Sequence, residues 1–149
     1  MKNKLLLFIV LAIAFSSCDP GATTTVYFEN DTDLEVGFQA FGSLKVYSDP
    51  VSFEKLTVGP HSRVEVGILY SLNECLKDDA SWLLSTRTDS IRITFIDCSL
   101  IYYRDSVDVQ QHSPYSSESF HLENYKSDWN SDAADAVYVI TEDDYHRAK

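Results

Sequence analysis

Apolar and polar residues alternate with a period of two along much of this chain, which is the signature of half-buried strands. Residues 24–29 (TTVYFE) put Val26 and Phe28 on one face. Residues 34–41 (LEVGFQAF) turn Leu34, Val36, Phe38 and Ala40 to one side. Between them, Asn30-Asp31-Thr32-Asp33 has turn chemistry, so the two runs are expected to pair as a hairpin. A break follows at Pro50, and residues 52–58 form a moderate strand that stops at Gly59-Pro60. Residues 63–70 (RVEVGILY) give a strong strand with Val64, Val66, Ile68 and Tyr70 inward.

The second half continues in the same style. Ser71-Leu72-Asn73-Glu74 has the spacing of a capping box, and a short helix through Leu84 would carry Leu72, Cys75, Leu76 and Leu83 as its apolar residues. Residues 90–98 place Ile91, Ile93 and Phe95 inward and read as a central strand; Leu100 to Tyr103 pair as another. Residues 107–119 are polar, contain Pro114 and read as a long loop. Phe120 and Leu122 mark a short strand, residues 126–135 a second polar loop, and residues 136–140 (AVYVI) the last strand. Thr141-Glu142-Asp143-Asp144 starts a helix, with acids in the first turn where the helix dipole favours them. Roughly seven to nine short strands without βαβ alternation predict an all-β fold, an antiparallel β-sandwich of Ig-like or Greek-key type with one or two short helices.

The N-terminus breaks the pattern. Lys2 and Lys4 precede an uninterrupted apolar run over residues 5–15. That run suits a secretion signal and falls short of the about 20 helical residues that span a bilayer. Small Ser16 and Ser17 follow, then Cys18. Phe15-Ser16-Ser17-Cys18 resembles the lipobox of bacterial lipoproteins, with Phe15 where that family prefers Leu. The resemblance implies that residues 1–17 are a cleaved signal peptide and that Cys18 carries diacylglycerol and an N-acyl chain. Two or more acyl chains anchor stably where one is marginal. Residues 18–24 then read as a tether and residues 25–149 as the sandwich domain. The other reading of the same residues is a plain secretory signal followed by an unrelated cysteine.

Two segments, Asp89-Ser90-Ile91-Arg92-Ile93-Thr94-Phe95-Ile96-Asp97 and Tyr138-Val139-Ile140-Thr141-Glu142-Asp143-Asp144-Tyr145, resemble small Bacteroides-type lipoproteins of unknown function. In that family a strand precedes a loop, and a closing segment runs into a short helix; Tyr145 stands where the family has Leu. This resemblance implies a lipid-anchored place in the cell envelope, the outer membrane ahead of the inner, and carries no known activity.

Composition adds constraints. Of 149 residues, 44% are hydrophobic and 23% charged, which is ordinary for a folded domain, and 132 residues after cleavage are enough for one core. All 23 acidic residues follow Cys18 while two of the 12 basic ones precede it, so the mature chain carries a formal charge of −13. Such a surface repels phosphate backbones and argues against nucleic acid. It also argues against electrostatic attachment to anionic lipid, leaving the anchor as the membrane contact.

The candidate chemistry is sparse. Cys75 and Cys98 form a disulfide in an exported domain, or else they are two reduced, buried small hydrophobes. Asp128, Asn130 and Asp132 match the opening D-x-N-x-D of a calcium loop, but Ala133 replaces its glycine and Val139 its closing Glu. Asp135 offers one more oxygen; the other reading is an acidic surface loop. His61, His112, His121 and His146 show no metal or catalytic spacing, no G-x-S-x-G is present, and no cofactor is implied. His121 and Glu123 would share a strand face as a surface pair. Tyr115, Tyr125 and Trp129 in the polar loops offer flat faces for sugar rings, or else plug the sandwich edge. Ser90 and Ser106 sit in tripeptides that resemble an O-glycosylation signal of this bacterial group. The expectation is a non-catalytic envelope lipoprotein that contacts another envelope protein or serves structurally. A glycan-binding accessory protein is the alternative, ahead of a hydrolase.

Overall fold

The computed structural model describes residues 21–42, 55–71, 76–105, 112–128 and 131–149. Within them, two four-stranded sheets face each other. The longer sheet has the order β4-β1-β8-β7, formed by β1 (Gly21–Asn30), β4 (Ser62–Ser71), β7 (Phe120–Asp128) and β8 (Ser131–Ile140). The shorter has the order β3-β2-β5-β6, formed by β2 (Val36–Phe41), β3 (Leu56–Val58), β5 (Ser90–Thr94) and β6 (Ser99–Tyr103). Helix α1 (Leu76–Arg87) connects β4 to β5, and α2 (Glu142–Ala148) follows β8. The antiparallel sandwich expected from the alternation is present, with one parallel pair where β1 runs beside β8. Strand β5 is central, between β2 and β6.

The expected β1–β2 hairpin is not formed. The two strands lie in opposite sheets, and the Phe28 and Phe38 rings stack across the interior with centroids 4.4 Å apart. Alternation specifies which face is apolar, and both arrangements bury the same face. The crossing is held by Asn30, which is fully buried. Its Nδ2 donates to the carbonyls of Leu34 at 2.6 Å and Gly59 at 2.9 Å, and its Oδ1 accepts from Thr32 N at 3.1 Å and Thr32 Oγ1 at 2.8 Å. Asn30 thus satisfies the backbone where the chain leaves one sheet for the other.

Strand β4 also departs from a strict period of two. A bulge opposite Val26 and Tyr27 pairs Val26 with Gly67 and Tyr27 with Glu65. Val66 is buried, but beyond the bulge Ile68 and Tyr70 turn outward, 45% and 77% exposed, contrary to the inward placement expected. Gly67 faces α1 instead, and a Cβ there would meet Leu83 at 3.4 Å.

The polar run 126–135, expected as a loop, is mostly strand. Asp128 pairs with Ser131 as the last rung of the β7–β8 hairpin, and β8 alternates buried Asp132, Ala134 and Ala136 with half-buried Ala133 and Asp135. Pairing on both sides, with β1 and β7, overrides the weak strand preference of alanine and aspartate. β1 likewise begins at Gly21, so the chain is already in the sheet over most of the span expected as tether.

The small side chains have a structural reason. The shorter sheet covers only part of the longer one, and α1 lies against β1, β4, β7 and β8 over the rest. Leu76, Ala80, Leu83 and Leu84, spaced for one helix face, are buried there. Ala22 and Ala134 meet Leu76 at the end where β1 begins, and Leu83 and Leu84 join the main core with Val26, Phe38 and Ile91. At the opposite end, Tyr145 of α2 packs on Phe95 with ring centroids 5.3 Å apart.

Candidate functional site

The C-terminal segment builds a buried polar cluster. Thr141 follows the last strand and caps α2, and Asp144, three residues on, is fully buried. Its carboxylate accepts from Thr141 N at 2.9 Å and Thr141 Oγ1 at 3.2 Å. Arg147, one helical turn later, pairs with the same carboxylate. From outside the helix, His112 Nε2 lies 3.3 Å from Asp144 Oδ2 and 2.6 Å from the Val139 carbonyl. A nitrogen that close to a carbonyl oxygen carries the proton, so this edge of the imidazole is a donor. Tyr138 stacks on the His112 ring at 4.8 Å and donates its hydroxyl to the His112 carbonyl at 2.8 Å.

The electrostatics are reciprocal. The hydrogen bond to Asp144 raises His112 above its ordinary value, against the lowering effect of burial. Burial pushes Asp144 up, but hydrogen bonds from His112 and Thr141 outweigh it and hold the carboxyl below its ordinary range. His112 adopts a left-handed backbone with φ of 51°, uncommon for a residue with a side chain. Its Nε2 proton is committed to Val139 and Asp144, so the pair clamps the cap against β8. Sequence spacing disclosed Thr141 and Asp144 as a helix start. His112 comes from the segment before β7, and no local pattern reports that partnership.

A second feature lies at the other end of the longer sheet. The start of α1, the Ser117–Ser119 turn and β7 border a groove of about 480 Å³. Its lining includes Lys77, Asp78, Glu118, Leu122, Tyr125 and Asp132. Tyr125 is 56% exposed and donates its hydroxyl to Asp132 Oδ2 at 2.9 Å. Asp132 is buried and stands in register with Ala22, the second residue of β1.

The other sequence candidates separate. Of the two readings open for Tyr115, a face for sugar rings or a plug at the sandwich edge, it takes the second: it is half-buried against the core with its hydroxyl 2.6 Å from Thr88 Oγ1. Asp132 and Asp135 point to opposite faces of β8, and Asp135 accepts from Asn124 at 2.6 Å, so they do not converge as ligands. Among the described residues no group of three or more His, Cys, Asp or Glu is placed to hold a metal ion. Cys98 is a free thiol in the β5–β6 turn, and Ser90 lies in β5 beside Phe41 and Tyr103. Cys18, Cys75, Ser106, Trp129 and Asn130 lie outside the described residues, as does the Leu72-Asn73-Glu74 part of the expected capping box. His121 and Glu123 form the surface pair expected of them, 3.0 Å apart, and Glu123 also meets Arg63 at 2.9 Å. Among the described residues no helix is long and apolar enough to cross a membrane. No protein-family model and no curated protein sequence matches this chain.

Proposed function

We propose that this chain is a cell-envelope lipoprotein, held on the membrane through acylated Cys18, whose sandwich serves as a non-catalytic interaction or structural module. The observation that supports the reading is the position of β1. It starts at Gly21, three residues after Cys18, and is an inner strand of the longer sheet, paired along its length to β4 and β8. A lipid on Cys18 would therefore be attached almost directly to the centre of the fold. The pair of His112 and buried Asp144 clamps a helix to the core. The remaining surface, acidic and rich in exposed Tyr and Ile, suits contact with another envelope component. The outer membrane is the preferred location.

The test is intact mass of protein extracted from membranes of its host. A polypeptide starting at Cys18 with diacylglyceryl and acyl additions is expected, and Cys18→Ala should leave the unprocessed precursor. A soluble, unmodified chain beginning elsewhere would overturn the proposal.

A further inference from the structure

We infer that the groove beside Tyr125 receives the ammonium headgroup of a zwitterionic lipid from the bilayer to which Cys18 is attached. The inference rests on the lipoprotein reading for its geometry and on the groove's own chemistry for its ligand. Asp132, in the groove wall, is level with Ala22. Four extended residues reach at most about 14 Å, so Ala22, beside the groove wall, lies within that distance of the acylated residue. The headgroup region on each side of a bilayer is roughly 5–8 Å deep. A tether this short holds this end of the sandwich against that layer and keeps it from long polymers in the space beyond.

The lining then selects the headgroup. Asp78, Glu118 and Asp132 bring three carboxyl groups against the single amine of Lys77, which favours a cation. More than half of the Tyr125 side chain is exposed, and an aromatic face beside carboxylates is a setting in which an alkylammonium binds. Lys77 stands in the same groove to meet the phosphate that every zwitterionic phospholipid carries next to its ammonium. Exposed Leu122 gives an apolar wall. An anionic headgroup without the ammonium would meet Lys77 through its phosphate but would bring no cation to the three carboxylates.

The experiment takes the full chain purified from membranes, exchanges it into detergent with equal phosphatidylethanolamine and phosphatidylglycerol, and counts retained lipids by native mass spectrometry. The same full chain is titrated with O-phosphoethanolamine and with a neutral hexose oligomer while the Tyr125 ring is followed by NMR. Phosphatidylethanolamine should be retained over phosphatidylglycerol by about fivefold, the scale of one cation–π contact. Tyr125→Leu and Glu118→Gln should each remove the preference. Tyr125→Leu strips the partner from buried Asp132, whereas Glu118 is exposed and its replacement leaves the fold intact. Equal retention of the two lipids, or a preference unchanged in Glu118→Gln, overturns the inference. So does a Tyr125 shift with the hexose oligomer and none with phosphoethanolamine. A polypeptide mass without acyl chains, with the ethanolamine preference intact, would sink the anchor and leave the groove assignment standing.

Discussion

His112 Nε2 lies 3.3 Å from Asp144 Oδ2, joining the segment before β7 to the helix that follows β8. Both ends of the pair gain from being charged together, so its contribution has two pH limits. His112 is raised, so its share is full below the ordinary histidine value of 6.5 and is lost as pH rises through the raised value. Asp144 is lowered, so its share is present above the ordinary value of 3.8 and is lost as pH falls through the lowered one. Thermal stability should therefore be greatest in mildly acid solution, between those limits. Asp144→Asn should remove that maximum and destabilise by about 1–3 kcal/mol, because it leaves buried donors short of a partner. Melting curves against pH for the two proteins check this; a variant that keeps the wild-type pH profile would contradict it.

The Phe28–Phe38 stack should be a major single contributor to the core. Both rings are at most 3% exposed, and each comes from a different sheet. Phe38→Ala should destabilise by about 3–5 kcal/mol, whereas Phe38→Leu should cost less because most of the volume is kept. Chemical denaturation of both variants would show whether the loss follows the volume removed.

The same pair explains how far the fold could be read in the sequence. The alternation of Val26 and Phe28, and of Val36 and Phe38, identified the buried faces, and Ile91, Ile93 and Phe95 identified β5 and its central place. What alternation does not encode is whether consecutive strands lie side by side or face to face. That choice rests on Asn30, a residue that reads as turn chemistry in either case. At Ile68 and Tyr70 a one-residue bulge reversed the facing, and no local signal announces it. In β8, the Asp and Ala positions looked like loop because the partners that make them strand, in β1, are more than a hundred residues away in the chain. The cap was half legible, through Thr141 and Asp144, and its histidine was not.

Asn30→Ala tests the crossing itself. The substitution removes the donor for the Leu34 and Gly59 carbonyls and the acceptor for Thr32. A loss of about 1–3 kcal/mol for the unmatched groups is expected. Amide exchange should rise at Thr32 and Leu34, whose N–H groups depend on Asn30 or on the Thr32 hydroxyl it holds. A variant as stable as the parent, with unchanged exchange at those amides, would show that the crossing is held by packing alone.

Cys98 should react with a disulfide-exchange reagent in the folded protein without prior reduction, since its thiol is free. Partial burial, and then the neighbouring Asp97 carboxylate, raise the thiol above its ordinary value. The thiolate is the reactive form, so modification should be slow at neutral pH and accelerate as pH rises. Peptide mapping after alkylation, with and without reductant, decides the matter. Labelling of Cys98 only after reduction would establish a bridge.

Tyr115, which its sequence context leaves open between a ligand-facing aromatic and a plug of the sandwich edge, is built into the core edge. Its hydroxyl is 2.6 Å from Thr88 Oγ1, and Thr88 in turn donates to the Leu84 carbonyl at 2.9 Å, fastening the segment before β7 to the end of α1. Burial pushes the phenol up to about 12. A group raised in the folded state binds its proton more tightly there than in the unfolded chain. Stability should therefore decline as pH climbs from the ordinary tyrosine value of 10.0 towards 12, and this decline should shrink in Tyr115→Phe. At neutral pH the same variant should lose about 1 kcal/mol through the missing hydrogen bond. Spectrophotometric titration of the phenols in the parent and in Tyr115→Phe, alongside denaturation at each pH, checks this, and a Tyr115 that ionises at the ordinary tyrosine value of 10.0 would contradict it.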